Sequence, residues 1–368
     1  MKISCTQEKL NKGLAIVSRV VGTRTTLPVL SNIYLEAKSG ELLMSATDLE
    51  IGVTTSIGAK VDEEGSTTVP ARLISEFIAA NTDENLELES KDAGLHLKSQ
   101  RFEANIKGID PSEFPTIPEI GKEALVEIKS EDLIRAISEV IIAAATDDTR
   151  PVLSGIYFKF DKNILFMVAT DSYRLAEKKI EVEGMEIEKE FIVPARTMQE
   201  ILRIASSAEA LEKISIAATE NQVSFTVGET RIVSRLIEGS FPNYKQIIPS
   251  TFRSNASLDL KELVSAVKMA ALFARQGANN IKIRFTPKEL IITSVADQIG
   301  DNISRVAAEV TGDEVEIAFN AKYVLDILLV SPEKKVLFEV NDKASPGVIK
   351  AEKAKDYVYI IMPLRVEE

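Results

Sequence analysis

Three aspartates close similar apolar runs in this chain and invite comparison with a metal-binding carboxylate cluster. Asp48 ends LLMSATD, Asp171 ends LFMVATD and Asp297 ends LIITSVAD, at separations of 123 and 126 residues. Carboxylate oxygens suit hard divalent cations such as Mg2+. One acid per repeat at the same position, however, is spread rather than gathered. An aspartate at a strand end commonly accepts hydrogen bonds from the turn that follows, and that is the expected role. Other chemistry is sparse. The single histidine, His96 in GLHLKS, has no second histidine or cysteine to complete a zinc site or a nucleophile set. The single cysteine, Cys5, excludes an intramolecular disulfide and reads as a small packing residue of the first strand. There is no Gly-rich phosphate loop ending in Gly-Lys-Ser/Thr, so nucleotide hydrolysis is unsupported. The expectation is a protein that is not an enzyme and needs no cofactor.

The elements that must position these residues repeat with the same long period. The first unit reads as a strand (Met1 to Cys5), then a helix from about Gln7 to Val20 with Leu10, Leu14 and Val17 on one face. Short β-type segments follow, SNIYLEAKS, GELLMSATD and IGVTTSIGAKV, then a second helix behind Pro70 through ARLISEFIAAN. Strands LELES, GLHLKS and RFEANIKG lead to Phe114-Pro115. The second unit repeats this order: LPVLSNIYLE recurs as RPVLSGIYFKF, VPAR at Val69–Arg72 recurs at Val193–Arg196, and Phe241-Pro242 answers Phe114-Pro115. In the third, LKELVSAVKMAALFAR and FNAKYVLDILLVS fill the two helix slots, and Met362-Pro363 stands where the other units have Phe-Pro. Each unit is long enough for its own core, so three tandem α+β domains are expected, at residues 1–122, 123–250 and 251–368, closely packed across short joins.

Charge at equivalent positions bears on function. Arg72, Arg196 and Lys322 share the slot at the start of the second helix, and the helices add Lys12, Arg135 and Arg203. A common axis would aim the three slot charges the same way, although helix ends often carry Lys and Arg for solvation alone. The net charge of −12 disfavours a conventional nucleic-acid binder, because an acidic surface repels phosphate. There is no apolar run of membrane-spanning length and no secretory h-region at the N-terminus, so a cytoplasmic protein without a membrane partner is expected.

The segments TLPVLSN, VPAR, VATDSYRLA, EGSFPNY and IIMPLR, in this order over essentially the whole length, resemble the bacterial DNA polymerase III beta subunit (beta sliding clamp) family. The resemblance implies a head-to-tail homodimer closed into a six-domain ring, helices lining the hole and sheets outside. Such a ring encircles double-stranded DNA without reading sequence and tethers the replicative polymerase, the clamp loader and other proteins carrying a clamp-binding motif. A protein held by topology does not need strong phosphate affinity, which removes the objection from net charge. By similarity Arg24 contacts DNA, together with Arg72 and Arg196; Arg203, Lys322, Lys12 and Arg135 are the further DNA-contacting candidates.

The same resemblance implies a peptide pocket between the second and third domains. Its residues would be Arg150, Leu153, Thr170, Ser172, Tyr173, Arg174, Leu175, Pro242, Ile247, Ile360, Met362, Pro363, Leu364 and Arg365. Apolar walls would accept side chains of a short linear motif, while arginines and backbone groups fix its polar atoms. Ser172-Tyr173 stands where the family usually has Gly-His, and Val366-Glu367-Glu368 continues past the point where many relatives stop. The dimer contact is implied between Leu272 and Phe273 of the third domain and Phe102 and Ile106 of the first. A rival reading is a three-domain peptide-binding scaffold that never encircles DNA.

Overall fold

Leu10, Leu14 and Val17 lie fully buried along one face of helix α1 (Gln7–Val17), as their spacing of four and three requires. The computed structural model describes residues 1–22, 27–120, 125–147, 149–182, 188–208, 210–275, 277–296 and 298–365. Arg24, Asp297 and Val366–Glu368 therefore lie outside the described residues. Helix α1 stops three residues before the expected end. Its last turn tightens, with Val20 N donating to the carbonyl of Val17 at 3.2 Å rather than to residue 16.

The other helices occupy the slots read from the sequence: α2 (Ala71–Ala80), α3 (Ser130–Ile141), α4 (Ala195–Ser207), α5 (Leu260–Ala274) and α6 (Ala321–Val330). Helix α2 follows Pro70 directly. Helix α6 uses a different device, the Asn320 side chain accepting from Lys322 N at 2.9 Å, so the third repeat replaces proline by a capping amide.

Two compact units divide the chain: residues 1–131 with 200–236, and residues 132–199 with 237–368. The first holds two antiparallel sheets. A five-stranded sheet runs in the order Lys60–Glu63, Lys2–Thr6, Asn85–Lys91, Gly94–Lys98, Glu103–Lys107. An eight-stranded sheet runs Val126–Lys129, Lys213–Ala218, Gln222–Val227, Thr230–Arg235, Ile51–Gly58, Glu41–Thr47, Asn32–Lys38, Gly65–Pro70. The second unit holds one twelve-stranded sheet: Lys189–Pro194, Gly155–Asp161, Ile164–Thr170, Arg174–Glu181, Tyr357–Ile361, Gly347–Ala351, Lys335–Val340, Ser254–Asp259, Gly300–Gly312, Glu289–Ala296, Asn280–Thr286, Val315–Asn320.

Strand pairing therefore crosses the repeat joins. Thr230–Ser234 pairs with Thr55–Ile51, and Arg174–Lys178 pairs with Ile361–Tyr357. A ladder of backbone hydrogen bonds resists sliding, and each join is stiff for that reason. The two joins differ inside. Thr55 and Thr230 share a buried hydroxyl hydrogen bond of 2.9 Å, whereas the equivalent Lys178 is buried between Glu139 and Asp356, each at 2.8 Å. Burial, opposed by Lys178, pushes the Glu139 carboxyl above its ordinary range.

The Phe-Pro motif also acquires a structural meaning. Tyr34 stacks on Phe114 at 5.3 Å, and Tyr157 on Phe241 at 4.8 Å, the same pair in two repeats. Cys5 is buried in the first strand, and burial raises its thiol to about 11. At pH 8 the thiolate fraction is then small, so a thiol reagent such as DTNB should fail to label the native protein and label it stoichiometrically in denaturant. Fast labelling of the native state would show that the first strand opens.

Candidate functional site

The turn after Thr170 is held by short-range hydrogen bonds. Thr170 Oγ1 donates to the carbonyl of Arg174 at 2.7 Å and accepts from Ser172 N at 3.1 Å. Asp171 Oδ1 accepts from Tyr173 N and Arg174 N at 2.9 and 3.0 Å. This turn puts Ser172 at φ +78, a left-handed conformation, and Tyr173 outward with 60% of its surface exposed. Asp48 makes the same two backbone contacts, to Glu50 N at 3.0 Å and Ile51 N at 2.9 Å. Both described aspartates of the repeat thus have the local turn role.

Several of the residues expected to bind peptide are tied to this turn or to the strand that follows it. Leu175 and Ile360 pair across the strands and form a buried apolar floor with Val168, Tyr244 and Val348, and Leu153 and Thr170 are buried as well. Pro242 and Ile247 are exposed, while Met362, Pro363 and Leu364 are half-buried. Met362 N donates to the carbonyl of Tyr173 at 2.8 Å, which ties the C-terminal segment to the turn. Arg150 is exposed and donates to Ser172 Oγ at 2.8 Å. Arg365 is exposed as well.

Arg174 departs from the role expected of it. Its guanidinium is buried, donates to Asp171 Oδ2 at 3.0 Å and to Asp326, and lies 4.3 Å from the centroid of the Tyr323 ring. A guanidinium so engaged braces the floor from within. Arg150, bonded to Ser172, is an exposed cation at this turn.

The candidate DNA-contacting residues sort by environment. Arg72, Arg196, Lys322, Lys12 and Arg135 are exposed. Several carry an acid within a turn: Arg72 with Glu76 at 2.8 Å, Lys12 with Glu8 at 3.0 Å, Arg135 with Asp132 at 2.6 Å. Exposed pairs of this kind are weak and exchange partners readily, leaving the cation usable but its field partly cancelled. Arg203 is a correction. It is half-buried, bound to Glu200 at 2.9 Å and donating to the carbonyl of Ile16 at 3.1 Å, so it braces α4 against α1.

Of the four interface candidates, Phe102 and Leu272 are exposed and Phe273 is half-buried. Ile106 is a second correction. It is only 4% exposed and paired with Leu95, because its strand turns that side chain to the core. The structure adds exposed apolar residues that sequence reasoning missed: Met269 on α5, and Val295, Ile299 and Ile303 on the adjoining hairpin, at 67% exposure for Val295 and 60% for Ile303. The available signal was parity. Ile303 shares the outward face of its strand with Asp301 and Arg305, where an apolar residue is out of place.

Among the described residues no group of three or more His, Cys, Asp or Glu could hold a metal ion. Repeats joined through their sheets, exposed cations recurring at one slot and an apolar platform beside a rigid turn define a tethering protein of the clamp class. Profiles of the DNA polymerase III beta subunit match in series: N-terminal domain at residues 1–118, central domain at 127–243 and C-terminal domain at 245–365. The beta sliding clamp of Synechococcus elongatus is 31% identical over the full length of both chains, and that of Staphylococcus aureus 30% identical over 94% of each. The Bacillus subtilis DNA polymerase sliding clamp superposes with a TM-score of 0.95 at 26% identity, and a Pseudomonas aeruginosa clamp bound to griselimycin with 0.94 at 27%, each covering both chains completely. The chain belongs to the DNA polymerase III beta subunit family, the beta sliding clamps. Its role is that of a non-catalytic processivity factor in DNA replication, acting on DNA with polymerase partners as a dimer. No helix among the described residues is long and apolar enough to cross a membrane.

Proposed function

We propose that two copies close head to tail into a ring around duplex DNA, and that the platform at the Thr170 turn holds peptide motifs of the polymerase, the clamp loader and other partners. The observation that carries the closure is a pair of unfinished strand edges beside apolar surface. In the first repeat, Glu103–Lys107 is the edge strand of its sheet, next to exposed Phe102. In the third, Gly300–Gly312 meets Ser254–Asp259 only from Ala308 onward, which leaves the edge near Ile303 open beside Val295, Ile299, Met269 and Leu272. Edges of this kind are templates for another strand, and apolar flanks make pairing there favourable. Domains bounded at residues 122/123 and 250/251 would each supply one sixth of the ring. The compartment is the cytoplasm, where a replication clamp meets DNA.

The exposed Arg72, Arg196 and Lys322 guide the duplex, with Lys12 and Arg135 adding to the field. Partial cancellation by Glu76, Glu8 and Asp132 keeps the attraction weak enough for sliding. Replacing Arg72, Arg196 and Lys322 together by alanine removes six cations from the two-chain ring and should lower the slope of log affinity against log salt for short linear duplexes by up to about 5, close to one unit per lost phosphate contact. An unchanged slope would remove these residues from the DNA path. The ring itself is tested by native mass. Sedimentation should give twice 40.4 kDa at micromolar concentration, and a monomer there would contradict head-to-tail closure.

A further inference from the structure

The first repeat join carries the same backbone frame as the proposed peptide platform, but with other side chains. Thr47 Oγ1 donates to the carbonyl of Ile51 at 2.9 Å and accepts from Leu49 N at 3.0 Å, as Thr170 does one repeat later. Leu49 has φ +77, matching Ser172. Arg235 N donates to the carbonyl of Glu50 at 3.0 Å, the counterpart of Met362 N on Tyr173. A cavity of about 200 Å3 opens here, walled by Leu49, Ile117, Pro118 and Val233 and rimmed by Glu50, Gln222 and Arg235.

Leucine is poorly suited to the left-handed region, since its Cβ crowds the backbone, and glycine or asparagine would fit better there. Yet this turn holds Leu49 in that conformation, 47% exposed at the mouth of the cavity. Its neighbour Arg235 has an exposed guanidinium whose nearest carboxylate, Glu50, is 3.9 Å away, too long for a hydrogen bond. An aliphatic wall beside an under-used guanidinium is complementary to an aliphatic side chain next to a carboxylate.

We propose that this cavity is a second peptide station, taking a linear segment in which an aliphatic residue enters between Leu49 and Val233 while a neighbouring acidic residue pairs with Arg235. The class of occupant rests on reading the Thr170 turn as a peptide platform, whose frame this join repeats. Selectivity differs between the two stations. Arg235 stands where the other has Met362, so an acidic residue is favoured here, held on the side of Arg235 away from the Glu50 carboxylate, and apolar bulk is favoured there.

The test uses the full-length protein with methyl-labelled leucine and valine, titrated with the acetylated, amidated peptide Ala-Asp-Leu-Leu-Ala at millimolar concentrations. Saturable shifts of the Leu49 and Val233 methyls are expected. Arg235→Glu should weaken them roughly tenfold, the size of one lost charge-assisted contact. Leu49→Gly keeps the turn, because glycine accepts its backbone conformation, and removes the wall, so it should also weaken binding while stability is retained. An Ala-Lys-Leu-Leu-Ala control should bind less well. Shifts confined to Leu153, Leu175 and Leu364 would overturn the second station and leave the platform standing. Shifts at neither place, or equal binding of the lysine control, would also overturn it, and a silent platform would separately count against the peptide reading there.

Discussion

Replacing Leu272 and Ile303 together by glutamate yields a folded monomer in sedimentation, with its unfolding transition close to that of the parent. Both side chains are exposed in the protomer, so the substitutions cost little within one chain. In the ring each would be covered. Losing the burial of two aliphatic side chains forfeits about 1.5–3 kcal/mol apiece, and placing carboxylates in an apolar contact adds a desolvation penalty. The dimer dissociation constant should rise by a factor of roughly a thousand or more. A variant that stays dimeric at nanomolar concentration would place the interface elsewhere.

Arg174→Leu should be the most destabilising single change at the platform, although it leaves the exposed surface nearly unaltered. The guanidinium is buried between Asp171 and Asp326 and stacked on Tyr323. Removing it strands two carboxylates near a hydrophobic floor, and breaking a buried ion pair from one side typically costs about 3–5 kcal/mol. Urea unfolding should show a lowered midpoint with an unchanged slope, the shift multiplied by the slope giving a loss of that size. Arg174→Lys should recover only part, because an ammonium keeps the charge but cannot span both acids with a planar fork. A loss below about 1 kcal/mol, the range of an exposed pair, would mean that the floor is held by the strand ladder alone.

Much of this architecture was legible in the repeats. Leu10, Leu14 and Val17, the VPAR starts and the twin Phe-Pro motifs lie where their spacing placed them, because periodicity and turn chemistry act locally. What was not legible depends on direction across strands. Ile106 belongs to a strand whose inward face only the pairing with Leu95 reveals. Arg174 looked like a rim cation until Asp326, far along the chain, came within reach of it. Arg203 reaches the carbonyl of Ile16, a partner with no side-chain signature. The Lys178 bracket with Glu139 and Asp356 is equally silent in sequence, since three charged residues on separate elements resemble ordinary solvated positions. The resemblance to the family supplied the pocket, and the hydrogen bonds around Thr170 and Met362 supply a reason for its rigidity.

The same repetition explains why the two joins can diverge. The turn frame is set by threonine and aspartate side chains bonding the backbone, so residues at Leu49 and Ser172, or Glu50 and Tyr173, are free to vary without altering the fold. Function is carried by that variable layer over an invariant one.

The central claim is topological, and retention on DNA tests it most directly. After loading onto a nicked circular duplex and gel filtration at high salt, the labelled protein should co-elute with the circle, and cutting the circle once should release it. Release from the intact circle at the same salt, or equal retention on cut and uncut DNA, would contradict a ring that holds its substrate by encirclement.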